Sequence, residues 1–228
     1  MNSLLHIFEE GNKSLVENAF KNFDKILIKQ KQLDNEEFFN TLITNFNKVE
    51  ESYFNMKDWR IQKIFLVGLY NILEYLSLNF SYGEFDYTLV NFIKKNLNFE
   101  NYQIQIETVQ LMALKLRYSR NKDTIFKIID YYFFHSSSFY SKRLFFTFFS
   151  KCLEIFSFSF IFENGILEKL LKFLDSSEIY ICKVVALLKE FYPLIEDNRT
   201  KFIILNKLEL LRKNLKEGQL KDLELIKV

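Results

Sequence analysis

An all-α fold of paired, stacked helices is what this sequence predicts, on three observations. Apolar residues recur at three- and four-residue spacing over long stretches, which is the period of a helix face. The chain of 228 residues holds only 5 Gly and 1 Pro, too little material for the many tight turns of an all-β fold. Finally, the polar breaks that open the second helix of each pair fall near Asp58, Asn101, Ser138 and Ser177, a separation of roughly forty residues that belongs to two-helix repeat units.

The elements follow in order. Ser14 to Gln30 carries Leu15, Val16, Ala19, Phe20, Phe23, Ile26 and Leu27 on one face and reads as an amphipathic helix. Asp34 and Asn35 offer a cap, Glu36 and Glu37 suit the first turn, and Phe38 to Val49 supplies the next apolar stripe. Asp58 opens a long helix through Leu76 that is apolar over most of its circumference, and such a helix belongs at the centre of its layer. Gly68 inside it costs about 1 kcal/mol relative to alanine, so its position predicts a neighbouring helix in close approach. Shorter helices are expected at Tyr87–Leu97 and Ile104–Leu116, then at Ile125–Phe134 after the polar loop Tyr118 to Asp123, and at Phe139–Phe156 after His135-Ser136-Ser137-Ser138.

Gly165 to Pro193 reads as a complete helical hairpin. Ile166 to Leu174 forms one apolar face and Ile179 to Phe191 another, with Asp175-Ser176-Ser177 between them. Ser176 or Ser177 is placed to cap the second helix and Pro193 to stop it. The last stretch, from Asp197, sets Lys207, Glu209, Arg212, Lys213, Lys216 and Lys221 outside a Phe202 to Leu215 stripe, the pattern of a terminal cap on a stack. About five pairs result, in one domain over 1–228: N-terminal helices at 13–51, central repeats at 58–193 and the cap at 197–228.

Composition narrows the class. A chain of this length buries roughly 70% of its unfolded surface, so it needs neither metal nor disulfide to hold a core. The 27 Phe and 12 Tyr supply that core, although part of the Phe, Tyr, Asn, Lys and Ile excess is what AT-rich codons give. Cys152 and Cys182 each lie in an apolar helical pattern and are expected as buried free thiols. The N-terminus has no basic start and no apolar run of signal length, and a cytoplasmic protein is expected. Leu144 to Phe162 has roughly the length of a membrane span, but Lys151 and Glu154 sit at its centre and each costs about 2.5–3.5 kcal/mol there, so a buried helix followed by a turn is expected instead.

No GxGxxG, GxxxxGK[ST], GxSxG, HExxH or paired CxxC occurs in the sequence, so the common catalytic and cofactor loops are missing. His6 lies near one terminus and His135 in a predicted loop. The expectation is a protein that is not an enzyme, with no cofactor, no metal, no small-molecule substrate and no membrane. A net charge of +2 is modest, but the cations cluster. Lys115, Arg117, Arg120 and Lys122 surround one interhelical loop with Tyr118 among them, and Lys142 with Arg143 follows the next break. Repeat geometry that brought both groups to one edge would form a phosphate- or acid-binding surface; the competing reading is a solvated loop that keeps an aromatic-rich chain soluble. The aromatic runs Tyr131 to Phe134 and Phe145 to Phe149 are read as core.

From Ser136 to Phe156, followed by the hairpin LLKFLDSSEIYICKVV, the chain resembles HEAT repeats, in particular those of regulatory subunit 4 of protein phosphatase 4. That resemblance implies an α-solenoid and a scaffold partner such as a phosphatase catalytic subunit. Lys183 stands near the place where those repeats carry arginine, and no proline kinks the first helix. By length, helical content and AT bias the chain also resembles the microsporidian dormancy factors, proteins that occupy idle ribosomes. This second resemblance implies a ribosome partner, with rRNA backbone contacts at the Tyr118 cluster and inhibition of translation through hibernation.

Overall fold

The computed structural model describes residues 7, 13–79, 83–119, 122–135, 139–175 and 178–212. It is all-helical, with thirteen α-helices among the described residues and no strand among them. The chain divides into two compact units, 1–148 and 149–228, where the sequence suggested one domain.

The first unit begins with four short helices, two on either side of the turn at Leu33–Asn35. The single helix expected at Ser14–Gln30 is two: α1 (Lys13–Lys21) and α2 (Phe23–Gln32), separated at Asn22. The next stripe is likewise divided at Asn45 into α3 (Glu36–Thr44) and α4 (Phe46–Phe54). In each case an asparagine, whose side chain bonds the carbonyl four residues back, takes a backbone conformation outside the helix. The apolar period runs through these interruptions, which is why periodicity alone joined the pieces. Asn35 caps α3 by accepting the Phe38 N–H at 3.1 Å, as its sequence position suggested.

The long helix α5 (Trp59–Asn79) is central. It packs against α1 and α2 on one side and against α7 (Tyr102–Tyr118) on another, and α7 in turn meets α6 (Gly83–Leu97). Gly68 lies where α5 meets α2: a Cβ there would stand 3.1 Å from the Asp24 Cα and 3.3 Å from the Leu27 Cδ1. The glycine therefore permits a close approach that an added methyl group would strain. We expect Gly68→Ala to be nearly neutral, because helix propensity returns about 1 kcal/mol, and Gly68→Val to lose about 3 kcal/mol by forcing the helices apart. Urea unfolding followed through Trp59, the one tryptophan of the chain, measures both.

The core of this unit is aromatic. Phe65 on α5 touches the rings of Phe20, Phe23, Phe46, Tyr53 and Phe92 at centroid distances of 5.2, 4.6, 6.4, 5.1 and 5.8 Å. A polar network lies beside it. The Tyr53 hydroxyl donates to Asn96 Oδ1 at 2.5 Å, Asn96 Nδ2 donates to the Phe92 carbonyl at 2.9 Å, and Gln62 Nε2 donates to the Tyr53 carbonyl at 3.1 Å. These bonds join α4, α5 and α6 and satisfy groups whose burial would otherwise cost about 1–3 kcal/mol each. Burial raises the pKa of Tyr53, so the phenol stays a donor.

After α7 come α8 (Lys122–Ile129) and a π-turn, Asp130–His135. His135, expected in a loop, closes this turn with Nδ1 3.0 Å from the Asp130 carbonyl. Phe133 of the turn packs on Phe145 and Phe148 of α9 (Phe139–Ile155), at 5.5 and 5.9 Å. The aromatic runs are core as expected, except Tyr131, which is 67% exposed, and Phe134, which is half-buried.

The second unit takes the end of α9, then α10 (Phe158–Glu163), α11 (Ile166–Leu171) with a 3₁₀ turn at Lys172–Asp175, α12 (Glu178–Phe191) with another at Tyr192–Leu194, and α13 (Asn198–Arg212). Of the hairpin expected at Gly165–Pro193 both helical segments are present, the first shortened to Ile166–Leu171 and continued by the 3₁₀ turn. Gly165 enters it at φ +67°, in the left-handed region that suits glycine, and Pro193 lies in the 3₁₀ turn that ends it. Ser176 and Ser177, the expected caps, lie outside the described residues, as do Lys213, Lys216 and Lys221 of the expected terminal cap. Phe191 holds Phe149 and Phe158 at 5.5 and 5.9 Å, and Phe173 meets Tyr180 at 5.6 Å. Lys207 Nζ reaches Asp175 Oδ2 at 3.2 Å, tying α13 to the first 3₁₀ turn.

Leu144 to Phe162 is divided between α9 and α10, and Lys151 pairs with Glu154 at 2.5 Å. Among the described residues no helix is long and apolar enough to cross a membrane. Cys152 is buried, with its thiol pKa raised by desolvation, but Cys182 is exposed, against the expectation of two buried thiols. The apolar neighbours of Cys182 on α12 misled because that helix turns Val184, Val185 and Leu188 inward and leaves Cys182 on its other side.

Candidate docking surface

The cations singled out by the sequence are carried mainly by α7 and the helices after it. Asn101 starts α7 by accepting the N–H groups of Gln103 and Ile104 at 2.9 and 3.3 Å. The helix is sheathed by neighbours along most of its length, so the run Leu111 to Leu116 is buried throughout.

Lys115 is in that run. Its residue is only 3% exposed and its ammonium pairs with the Asp86 carboxylate of α6, which also accepts from the Ser119 hydroxyl at 3.3 Å. Desolvation lowers the Lys115 pKa to about 8 despite the carboxylate beside it. Lys115 is therefore an internal pin between α6 and α7, and it does not offer charge to an external phosphate. The sequence placed it at a loop because Arg117, Arg120 and Lys122 follow; its partner, Asp86, is too distant in the chain to leave a local signal.

Arg117 is different. It is exposed, and its guanidinium lies 5.5 Å from the centroid of the Tyr118 ring. The Tyr118 hydroxyl donates to Glu74 Oε1 of α5 at 2.7 Å, which fixes the ring, and burial followed by that bond raises its pKa. A cation over a fixed aromatic ring at a helix C-terminus is held near the negative end of the helix dipole. Lys122 begins α8 across the short connection, half-buried. Arg120 lies outside the described residues.

Lys142 and Arg143 stand elsewhere. Arg143 places its guanidinium 5.8 Å from the Tyr102 ring centroid, and Tyr102 in turn meets Tyr140 at 5.8 Å. Tyr102 and Tyr118 mark opposite ends of the 17-residue α7, about 25 Å apart at ~1.5 Å rise per residue. The two basic groups thus do not share an edge, contrary to the arrangement that a regular repeat implied. Each is a guanidinium on a tyrosine, and the residues that position them, Glu74, Tyr102 and Tyr140, were not singled out in the sequence. Acid and aromatic partners on other helices have no fixed spacing from the cation they hold.

Compared with known proteins, the chain matches no family model, no curated protein and no solved structure. Among the described residues no three His, Cys, Asp or Glu side chains gather as a metal-binding group.

Proposed function

We propose that the chain is a non-enzymatic helical-repeat binding protein that docks on a large ribonucleoprotein assembly, the ribosome, and occupies a functional site there during dormancy. Docking uses the end of α7: Arg117 and Lys122 meet the RNA phosphate backbone, and Tyr118 supplies a flat face beside them. The observation that carries this reading is the exposed Arg117 guanidinium held over the Tyr118 ring, itself anchored by Glu74. A preordered guanidinium loses little freedom on binding and matches phosphate with two parallel donors. Pairing of α5 with α7 and of α6 with α7 supports a stacked, repeat-like scaffold that displays its helix ends. Arg143 over Tyr102 offers a second point of attachment at the other end of α7.

The test is pelleting with purified ribosomes across a salt series. Arg117→Glu with Lys122→Glu is expected to weaken binding about tenfold or more and to reduce the slope of log affinity against log salt by about two, one for each phosphate that is no longer neutralised. Arg117→Glu gives up the contact with Tyr118 and the favourable end of the helix dipole and is expected to cost about 1–2 kcal/mol, so a circular dichroism melt verifies that the double variant is folded at the assay temperature. Unchanged binding and slope would mean that this surface does not face RNA.

A further inference from the structure

The second unit contains an open cleft of about 780 Å³ lined by both apolar and charged side chains. Phe158 and Phe162 of α10 and Leu194 of the 3₁₀ turn line it, with Glu163, Glu196 and Asp197 around them and Arg199 the one cation among the lining residues. Three carboxylates against one guanidinium give the lining a negative balance. Asp197 is fixed in its ionised form: its carboxylate accepts the Arg199 N–H at 3.2 Å, the Thr200 N–H at 2.7 Å and the Thr200 hydroxyl at 2.5 Å, and those Thr200 bonds lower its pKa. The neighbouring Lys201 is not among the lining residues; its ammonium lies over the Tyr192 ring at 5.9 Å. Leu194 stands 71% exposed at the cleft, so an occupant that covers it extends past the cleft onto the surface, as a polypeptide does and a compact small molecule does not.

We propose that this cleft is a docking site for an extended basic peptide segment that sets an apolar side chain between Phe158, Phe162 and Leu194 and its lysines or arginines against Glu163, Glu196 and Asp197. Apolar burial supplies affinity, and the carboxylates choose basic over acidic sequences. The site is independent of the α7 surface and goes beyond the proposed RNA docking: it recognises cationic protein, where α7 recognises anionic phosphate.

Fluorescence anisotropy with three labelled synthetic peptides, alternating Lys/Leu, Lys/Gln and Glu/Leu, tests it on the full chain. The Lys/Leu peptide is expected to bind in a salt-sensitive manner, Lys/Gln about tenfold more weakly, and Glu/Leu not at all. Glu163→Lys with Glu196→Lys is expected to weaken Lys/Leu binding about tenfold or more, and Leu194→Ser, which removes apolar contact without changing charge, to weaken it severalfold. Both alter exposed side chains, and an unchanged circular dichroism melt verifies the fold. Arg117→Glu with Lys122→Glu leaves peptide binding as in the parent, which separates this proposal from the docking reading. Equal binding of Glu/Leu and Lys/Leu, full binding by the Glu163→Lys, Glu196→Lys variant, or no binding of Lys/Leu would each overturn it.

Discussion

Phe65→Ala is expected to lower the unfolding free energy of the first unit by about 4 kcal/mol. Phe65 is fully buried and five rings from α1, α2, α4 and α6 converge on it. Truncation removes the transfer free energy of the ring and leaves a cavity. Helices pinned from several sides cannot collapse into that space, so the cavity term remains. Phe65→Leu, which keeps most of the volume, is expected to cost about 1.5 kcal/mol. Phe202→Ala, at a site 64% exposed on α13, stays within about 0.5 kcal/mol. Urea titration of Trp59 fluorescence reads the Phe65 variants in the unit that holds them, and far-ultraviolet circular dichroism reads Phe202→Ala. A loss under about 1 kcal/mol for Phe65→Ala would show that the aromatic cluster is not the organising core.

The second large effect is a pH dependence. In the unfolded chain Lys115 titrates near 10.5, and burial lowers it to about 8 in the folded protein. Below pH 8 it is charged in both states, and the cost of burying the ammonium is present in full. Between pH 8 and 10.5 the folded protein has released a proton that the unfolded chain still holds, so stability rises with pH through this window. Lys115→Met removes that proton. The stability of the parent relative to Lys115→Met is therefore expected to rise by about 2 kcal/mol between pH 7.5 and 10. Taking the difference cancels the tyrosines that titrate in the same range. Parallel profiles would mean that the Asp86 carboxylate, and not desolvation, governs Lys115.

Much of the fold is legible in the sequence because its signals are local. Apolar spacing, Asn35, Asp58, Asn101 and the Gly165 and Pro193 punctuation locate the helices, and the glycine at 68 announces the close approach that α2 makes. Asn22 and Asn45 leave no such mark, since one residue off the helix barely disturbs a period of 3.6. The docking surface is half legible. A cluster of cations along the chain says where charge is dense but not which way each side chain faces, and facing decides the outcome: α7 turns Lys115 inward to Asp86, leaves Arg117 outside on Tyr118, and has Arg143 at its far end. The cleft of the second unit leaves no trace in the sequence, because Phe158, Leu194 and Glu196 meet only through the packing of α10 beside the 3₁₀ turn at Tyr192–Leu194.

The central claim is that the chain docks on ribosomes by neutralising phosphates. Sedimentation of native lysate through sucrose gradients at low and at high salt tests it most directly. The expected result is that the protein travels with ribosomes at low salt and is released as salt rises, with Arg117→Glu, Lys122→Glu released earlier. Migration at low mass in both gradients, in company with a phosphatase catalytic subunit alone, would contradict it.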